Sequence, residues 1–188
     1  MEQKVILAAL EEVKLHGLRF TMADVTRRLR MSKSSLYKLV PSKDRLIEEM
    51  QSYIMDTFNA EAVQIQDASA PLVTKVQRFV RAYLDMMQPL TTSGYFEDLQ
   101  LLYPDEYTRW QDFYKAKVQD VIGLLQKGVE TGLFRPVSLP VVQHCLYVSA
   151  MALADPAFLA RYDLTYQQAV ETLEDVLFHG LISSNVKY

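Results

Sequence analysis

Between Thr21 and Pro41 the sequence has room for two short helices and a tight turn, and for little else. Thr21 followed three residues later by Asp24 resembles a capping box, in which a hydroxyl and an acid satisfy the first free amides of a helix. Met22, Val25 and Leu29 then share one side of a helix over about residues 22–29. Arg30-Met31 is the turn. Ser32 is a good N-cap for a second helix of about two turns, which Pro41 stops. Leu36 and Leu39 are its apolar residues, and the rest of its surface is Lys33, Ser34, Ser35, Tyr37 and Lys38. Hydroxyls, a phenol and ammonium groups are poorly suited to a core. They are well suited to a nucleic-acid groove, where they meet phosphate oxygens and base edges. Two such helices around a short turn form a helix-turn-helix.

Charge supports that reading without proving it. The chain carries a net charge of −3, yet residues 1–50 hold ten Lys/Arg against seven Asp/Glu, and residues 51–188 hold ten against sixteen. Within 19–45 stand Arg19, Arg27, Arg28, Arg30, Lys33, Lys38, Lys43 and Arg45 against only Asp24 and Asp44. A basic stretch in an acidic protein marks an electrostatic footprint. Charge alone fits a solvated basic face with no partner better.

The remainder reads as helices throughout. Residues 2–16 place Ile6, Ala9, Leu10 and Val13 on one side, with Gly17 at the left-handed end position. After Pro41, Ser42 caps a helix whose period runs from Leu46 to about residue 67. Further helices are expected over 72–88, 95–103, 105–131, 139–154 and 165–182, with Asp155-Pro156 as an interruption and a loop at Leu90–Gly94. No segment alternates convincingly as a strand, so the fold class is all-α. Residues 139–154 are apolar almost all round, and a helix of that kind must be covered on most sides.

The quoted motifs now carry a resemblance. Phe20-Thr21-Met22-Ala23-Asp24-Val25, Met31-Ser32-Lys33-Ser34-Ser35-Leu36-Tyr37 and Pro41-Ser42-Lys43-Asp44-Arg45-Leu46 together resemble the N-terminal DNA-binding domain of the TetR/AcrR family of bacterial transcriptional regulators. The later helices are similar in number and order, including the Gly132-Leu133-Phe134-Arg135 link. Two positions depart from the family pattern. Arg30 stands where glycine is usual, which requires a strained backbone or a shifted turn. Val40 stands where an aromatic is usual.

The resemblance implies a three-helix helix-turn-helix domain over 1–46 and a helical ligand-binding and dimerisation domain over 47–188. It implies DNA contact by Thr21, Arg27, Arg28, Ser32, Lys33, Ser34, Ser35, Tyr37, Lys38 and Lys43. Lys33, Ser34, Ser35 and Lys38 would face the major groove, and Tyr37, Lys43 and the Thr21 helix start would meet phosphates. Tyr95, Phe96, Tyr103, Tyr107, Trp110, Tyr114 and Tyr147 are candidates for a ligand pocket, although ordinary core packing accounts for most such rings taken singly. Leu146, Ala150, Leu153, Leu173, Leu177 and Leu181, on the last two long helices, are candidates for a two-fold interface.

Other classes find less support. No nucleophile elbow, phosphate-binding glycine loop or His-Glu metal signature is present, so no enzyme, cofactor or metal is expected. His16, His144 and His179 are scattered, and Cys145 is the single cysteine. That cysteine count and the lack of a long apolar run suggest a cytoplasmic protein. The expected function is a dimeric repressor that binds a near-palindromic operator and is released by a small apolar or amphipathic effector. The alternative is a TetR-like adaptor or co-activator controlled by a protein partner.

Overall fold

The structure, a computed structural model, describes residues 3–67, 69–88 and 94–182. Ten α-helices account for most of them: α1 Gln3–His16, α2 Met22–Leu29, α3 Lys33–Leu39, α4 Lys43–Asp67, α5 Leu72–Met87, α6 Tyr95–Leu102, α7 Pro104–Glu130, α8 Leu139–Leu153, α9 Pro156–Arg161 and α10 Tyr166–Leu181. Among the described residues there is no strand, only an isolated bridge between Phe134 and Ile182. The all-α expectation holds. The chain divides into two compact units, Met1–Thr57 with Pro89–Asp112, and Phe58–Gln88 with Phe113–Tyr188. Helices α4 and α7 each contribute residues to both.

In the first unit α1 packs on α2, α2 on α3, and both α1 and α6 on a single 3-10 turn at Gly17–Arg19. Val5, Ala9, Val13, Leu18, Phe20, Val25 and Leu36 form the apolar centre, completed by Val40 and by Leu46, Ile47 and Met50 of α4. Val40 is fully covered, so the smaller residue at that position still fills core space. The caps act as the local sequence dictates. Thr21 and Asp24 make the reciprocal capping box, the Ser32 hydroxyl accepts from the Ser35 amide at 3.1 Å, and Ser42 accepts from the Arg45 amide at 3.1 Å.

The second unit packs α5 against α8 and α10, and α8 against α9 and α10. Phe58 meets Phe79 and Phe113 edge to face, with ring centroids 5.6 and 5.9 Å apart. Arg81 of α5 forms a two-pronged pair with Glu174 of α10. The end of α7 turns back on itself: the Phe134 amide donates to the Gly128 carbonyl at 3.0 Å, and Gly132 takes a left-handed φ of 72°. A Cβ at residue 128 would lie 2.0 Å from the Phe134 ring, so glycine is required there for close approach.

Two expectations change. Residues 156–161 form α9 instead of continuing a loop. The Asp155 carboxylate accepts from the Ala157 amide at 2.9 Å and Pro156 occupies the first helical position, where its fixed φ suits a helix. Six residues are too few to show a helical period. The second change concerns α8, where only Leu146 and Ala150 are buried, leaving much of an apolar helix uncovered by its own chain. The expected loop at Leu90–Gly94 lies outside the described residues except for Gly94.

Candidate nucleic-acid interface

Helix α3 has one fully buried residue, Leu36, which is 0% exposed. Burying such a side chain contributes about 1.5–3 kcal/mol. With Leu36 inward, Lys33, Ser34, Ser35, Tyr37 and Lys38 are all exposed. Among the described residues neither lysine has a hydrogen bond or ion pair, so both ammonium groups are available to an anion. Ser32 is committed to capping, and its hydroxyl also lies 3.0 and 2.8 Å from those of Ser34 and Ser35.

The turn before α3 settles the question raised by Arg30. Its backbone is left-handed, at φ 51° and ψ 41°. The Met31 amide donates to the Thr26 carbonyl at 3.1 Å and the Arg30 amide to the Arg27 carbonyl at 3.2 Å, the paired bonds of a Schellman end. The turn is not shifted. Arg30 adopts the conformation glycine would take, at a cost of about 1–2 kcal/mol. Its guanidinium is exposed and, among the described residues, unpaired.

Four other residues expected at DNA are engaged within the head. Thr21 donates its hydroxyl and amide to Asp24 at 2.7 and 2.8 Å. These bonds, with Arg27 beside them, hold the Asp24 carboxyl below its ordinary range. Arg27 pairs with Asp24 at 3.0 Å but remains largely exposed. Arg28 Nε donates to Glu12 at 2.6 Å, and Glu12 is only 5% exposed, so this pair ties α2 to α1. Lys43 Nζ donates to the Leu18 carbonyl at 2.5 Å and lies 4.8 Å from the centre of the Phe20 ring. Burial lowers the Lys43 ammonium below its usual range, against the opposing pull of Asp44 and Asp98. In this structure Lys43 braces the turn that leads into α2.

The aromatic candidates fall into two groups. Tyr95, Phe96, Tyr103, Tyr107 and Trp110 belong to the first unit, where Tyr95 meets Phe96 at 5.2 Å and Phe96 meets Trp110 at 5.8 Å. Tyr114 and Tyr147 belong to the second unit, 5.0 Å apart. Tyr83, not singled out in the sequence, stands 5.6 Å from Tyr114. Its position on the buried stripe of α5 gave no signal beyond core packing.

The interface candidates also separate. Leu146, Ala150 and Leu181 are buried by their own chain, whereas Leu153, Leu173 and Leu177 are partly covered. The outward residues are one helical phase away: Val141 at 59% exposed, Val148 at 48%, Tyr147 and, on α10, Val176. Among the described residues no group of acids, histidines or cysteines is placed to hold a metal, and no helix is long and apolar enough to cross a membrane.

A short helix displaying lysines and hydroxyls beyond a capped partner is the geometry of a helix-turn-helix. Residues 5–50 match the bacterial regulatory proteins of the tetR family. The chain is 25% identical over 186 residues to the uncharacterized HTH-type transcriptional regulator YvaF of Bacillus subtilis (strain 168), covering 96% of this chain and 95% of that one. Its fold is similar to that of the ketosteroid transcriptional regulator KstR2 of Mycobacterium tuberculosis, with a TM-score of 0.74, 18% identity, and 97% and 95% of the two chains covered. It is also similar to a transcriptional regulator from Saccharomonospora viridis in complex with choline, with a TM-score of 0.76, 16% identity, and 96% and 97% covered. The match to the tetR family model thus covers the helix-turn-helix head, and over its whole length the chain is similar to an HTH-type transcriptional regulator.

Proposed function

We propose that this regulator is a homodimeric repressor of a near-palindromic operator, released by a small apolar or amphipathic effector. Residues 1–46 bind DNA, and residues 47–188 carry the effector and dimerisation functions. The observation that carries the DNA part is the pair of free ammonium groups, Lys33 and Lys38, on the exposed face of α3. Together with Ser34, Ser35 and Tyr37 they offer donors at spacings suited to groove and backbone. Arg30 and Arg27 border that face, and the free amides at the start of α2 favour an anion beside Thr21.

The outward valines of α8 and α10 support pairing with a second copy across a two-fold axis, which would place α8 and α10 of one protomer against those of its partner. Two heads then meet two half-sites. An effector releases DNA only by binding the non-binding arrangement better. A hundredfold preference corresponds to about 2.7 kcal/mol. The similar regulator in complex with choline supports a small-molecule effector for this fold.

The test is selection of bound fragments from genomic DNA, followed by titration of one fragment at several salt concentrations. Two chains per fragment are expected, on an inverted repeat, with the logarithm of affinity falling by about 0.9 per phosphate contact for each logarithm of salt. One chain per fragment, or no inverted repeat, contradicts the dimer reading. An affinity insensitive to salt contradicts the assigned face.

A further inference from the structure

The second unit carries an open cleft of about 490 Å³ bordered by α4, α5 and α10. That volume is within the usual range for a small-molecule site. Among the described residues its polar lining is Glu61 and Gln64 from α4, Gln77, Arg78 and Arg81 from α5, and Glu174 from α10. The apolar share is Ile65, which is itself buried. The frame is tied in two places. Arg81 and Glu174 form their two-pronged pair across α5 and α10. The Lys75 ammonium donates to the Gln66 carbonyl at 2.6 Å and joins the end of α4 to the start of α5.

The other four polar groups are uncommitted. Among the described residues Glu61 and Arg78 make no ion pair, with each other or with any third group, and the Gln64 and Gln77 amides make no hydrogen bond. Exposed glutamines elsewhere in this unit are engaged, Gln126 donating to Glu130 and Gln167 to Glu171. With Arg81 and Glu174 cancelling each other, the cleft offers one free anion and one free cation from two different helices. A bare anion would gain Arg78 and be repelled by Glu61, and a bare cation would meet the reverse. An apolar molecule would take water from four polar side chains and give nothing back. A molecule with both an ammonium and a carboxylate satisfies Glu61 and Arg78 together, the guanidinium taking both carboxylate oxygens. Each glutamine amide supplies donors and an acceptor, and a peptide bond offers one of each in return.

We propose that this cleft binds a short zwitterionic peptide, a di- or tripeptide, with its carboxylate on Arg78, its ammonium on Glu61 and a peptide bond between Gln64 and Gln77. A single amino acid has no peptide bond and leaves both glutamines unmatched. The site is separate from the apolar effector assigned above and does not depend on it: none of the lining residues is an aromatic candidate, and none lies on α8, whose outward face was assigned to the partner protomer. Glu61 and Arg78 are exposed, so each ion pair adds little. Binding is therefore weak and quickly reversible, which suits a ligand present at high concentration.

The experiment titrates the isotopically labelled full chain with alanylalanine, its N-acetyl form, its C-terminal amide and free alanine, reading affinity from the side-chain amide signals of Gln64 and Gln77. Alanylalanine is expected to move those signals and to bind about fivefold more tightly than either capped form, the scale of one partly exposed ion pair. It is also expected to bind more tightly than alanine. Arg78→Gln should keep the melting temperature, bind alanylalanine and its C-terminal amide equally, and still prefer alanylalanine to the N-acetyl form. Glu61→Gln should keep the melting temperature and show the reverse pattern. The assignment is overturned if a capped form or alanine binds as tightly as alanylalanine, if either variant keeps the preference it should lose, or if no probe moves the two glutamine signals.

Discussion

Helices α3 and α8 each have very few fully buried residues, and each shows much of the rest of its surface to solvent. Leu36 alone is buried in α3, and Leu146 and Ala150 alone in α8. Their outward faces are opposite in chemistry. Helix α3 shows lysines, serines and a tyrosine, whereas α8 shows Val141, Tyr147 and Val148 along with His144 and Cys145. A lysine-serine face rests in water without penalty and gains a partner only when an anion arrives. An apolar face left in water loses about 25 cal/mol for each Å² that a partner would cover. The first is a surface for a reversible, salt-sensitive partner. The second calls for a standing one.

Four substitutions test that contrast, and the largest effect falls on α8. Val148→Asp places a charge on the apolar face without touching the core of its own unit. It is expected to weaken self-association at least a hundredfold by analytical ultracentrifugation and to weaken operator binding in parallel. Unchanged association would remove α8 from the interface. The next effect separates two kinds of lysine. Lys38→Ala on α3 should lower affinity for all DNA sequences several-fold and reduce the salt slope by about 0.9. Lys43→Ala should act differently, because Lys43 Nζ is bonded to Leu18 and packed on Phe20. It should destabilise the head by about 1 kcal/mol in thermal melts, with the slope nearly unchanged. A full unit of slope lost with Lys43 would restore it to the DNA backbone. The smallest effect belongs to the turn. Arg30→Gly relieves the left-handed strain and should raise stability by up to about 1 kcal/mol, less what the freer unfolded chain takes back. A lower melting temperature would mean that the guanidinium makes a contact worth more than the strain.

What was legible in the sequence follows the range of the interactions involved. Caps at Thr21, Ser32 and Ser42 bond amides three residues away, so residue order alone locates them. At Arg30 the sequence left two choices, a strained backbone or a shifted turn, and the structure takes the left-handed one. Helix α9 escaped because its signal is a cap and a proline with no period behind them. The roles of Arg28 and Lys43 were out of reach. Their acceptors, Glu12 and the Leu18 carbonyl, lie 16 and 25 residues away in the chain. A basic residue reads the same in sequence whether it meets a phosphate or a neighbouring helix.

The sequence by itself therefore determined the all-α class, the helix-turn-helix and the face that α3 would present, since each depends on spacing within a few residues. Tertiary structure decided which basic groups stay free, which side of α8 is left uncovered and that Tyr83 joins Tyr114. Those outcomes depend on which distant segment arrives to bury a surface or accept a proton, and a local pattern holds no record of that arrival.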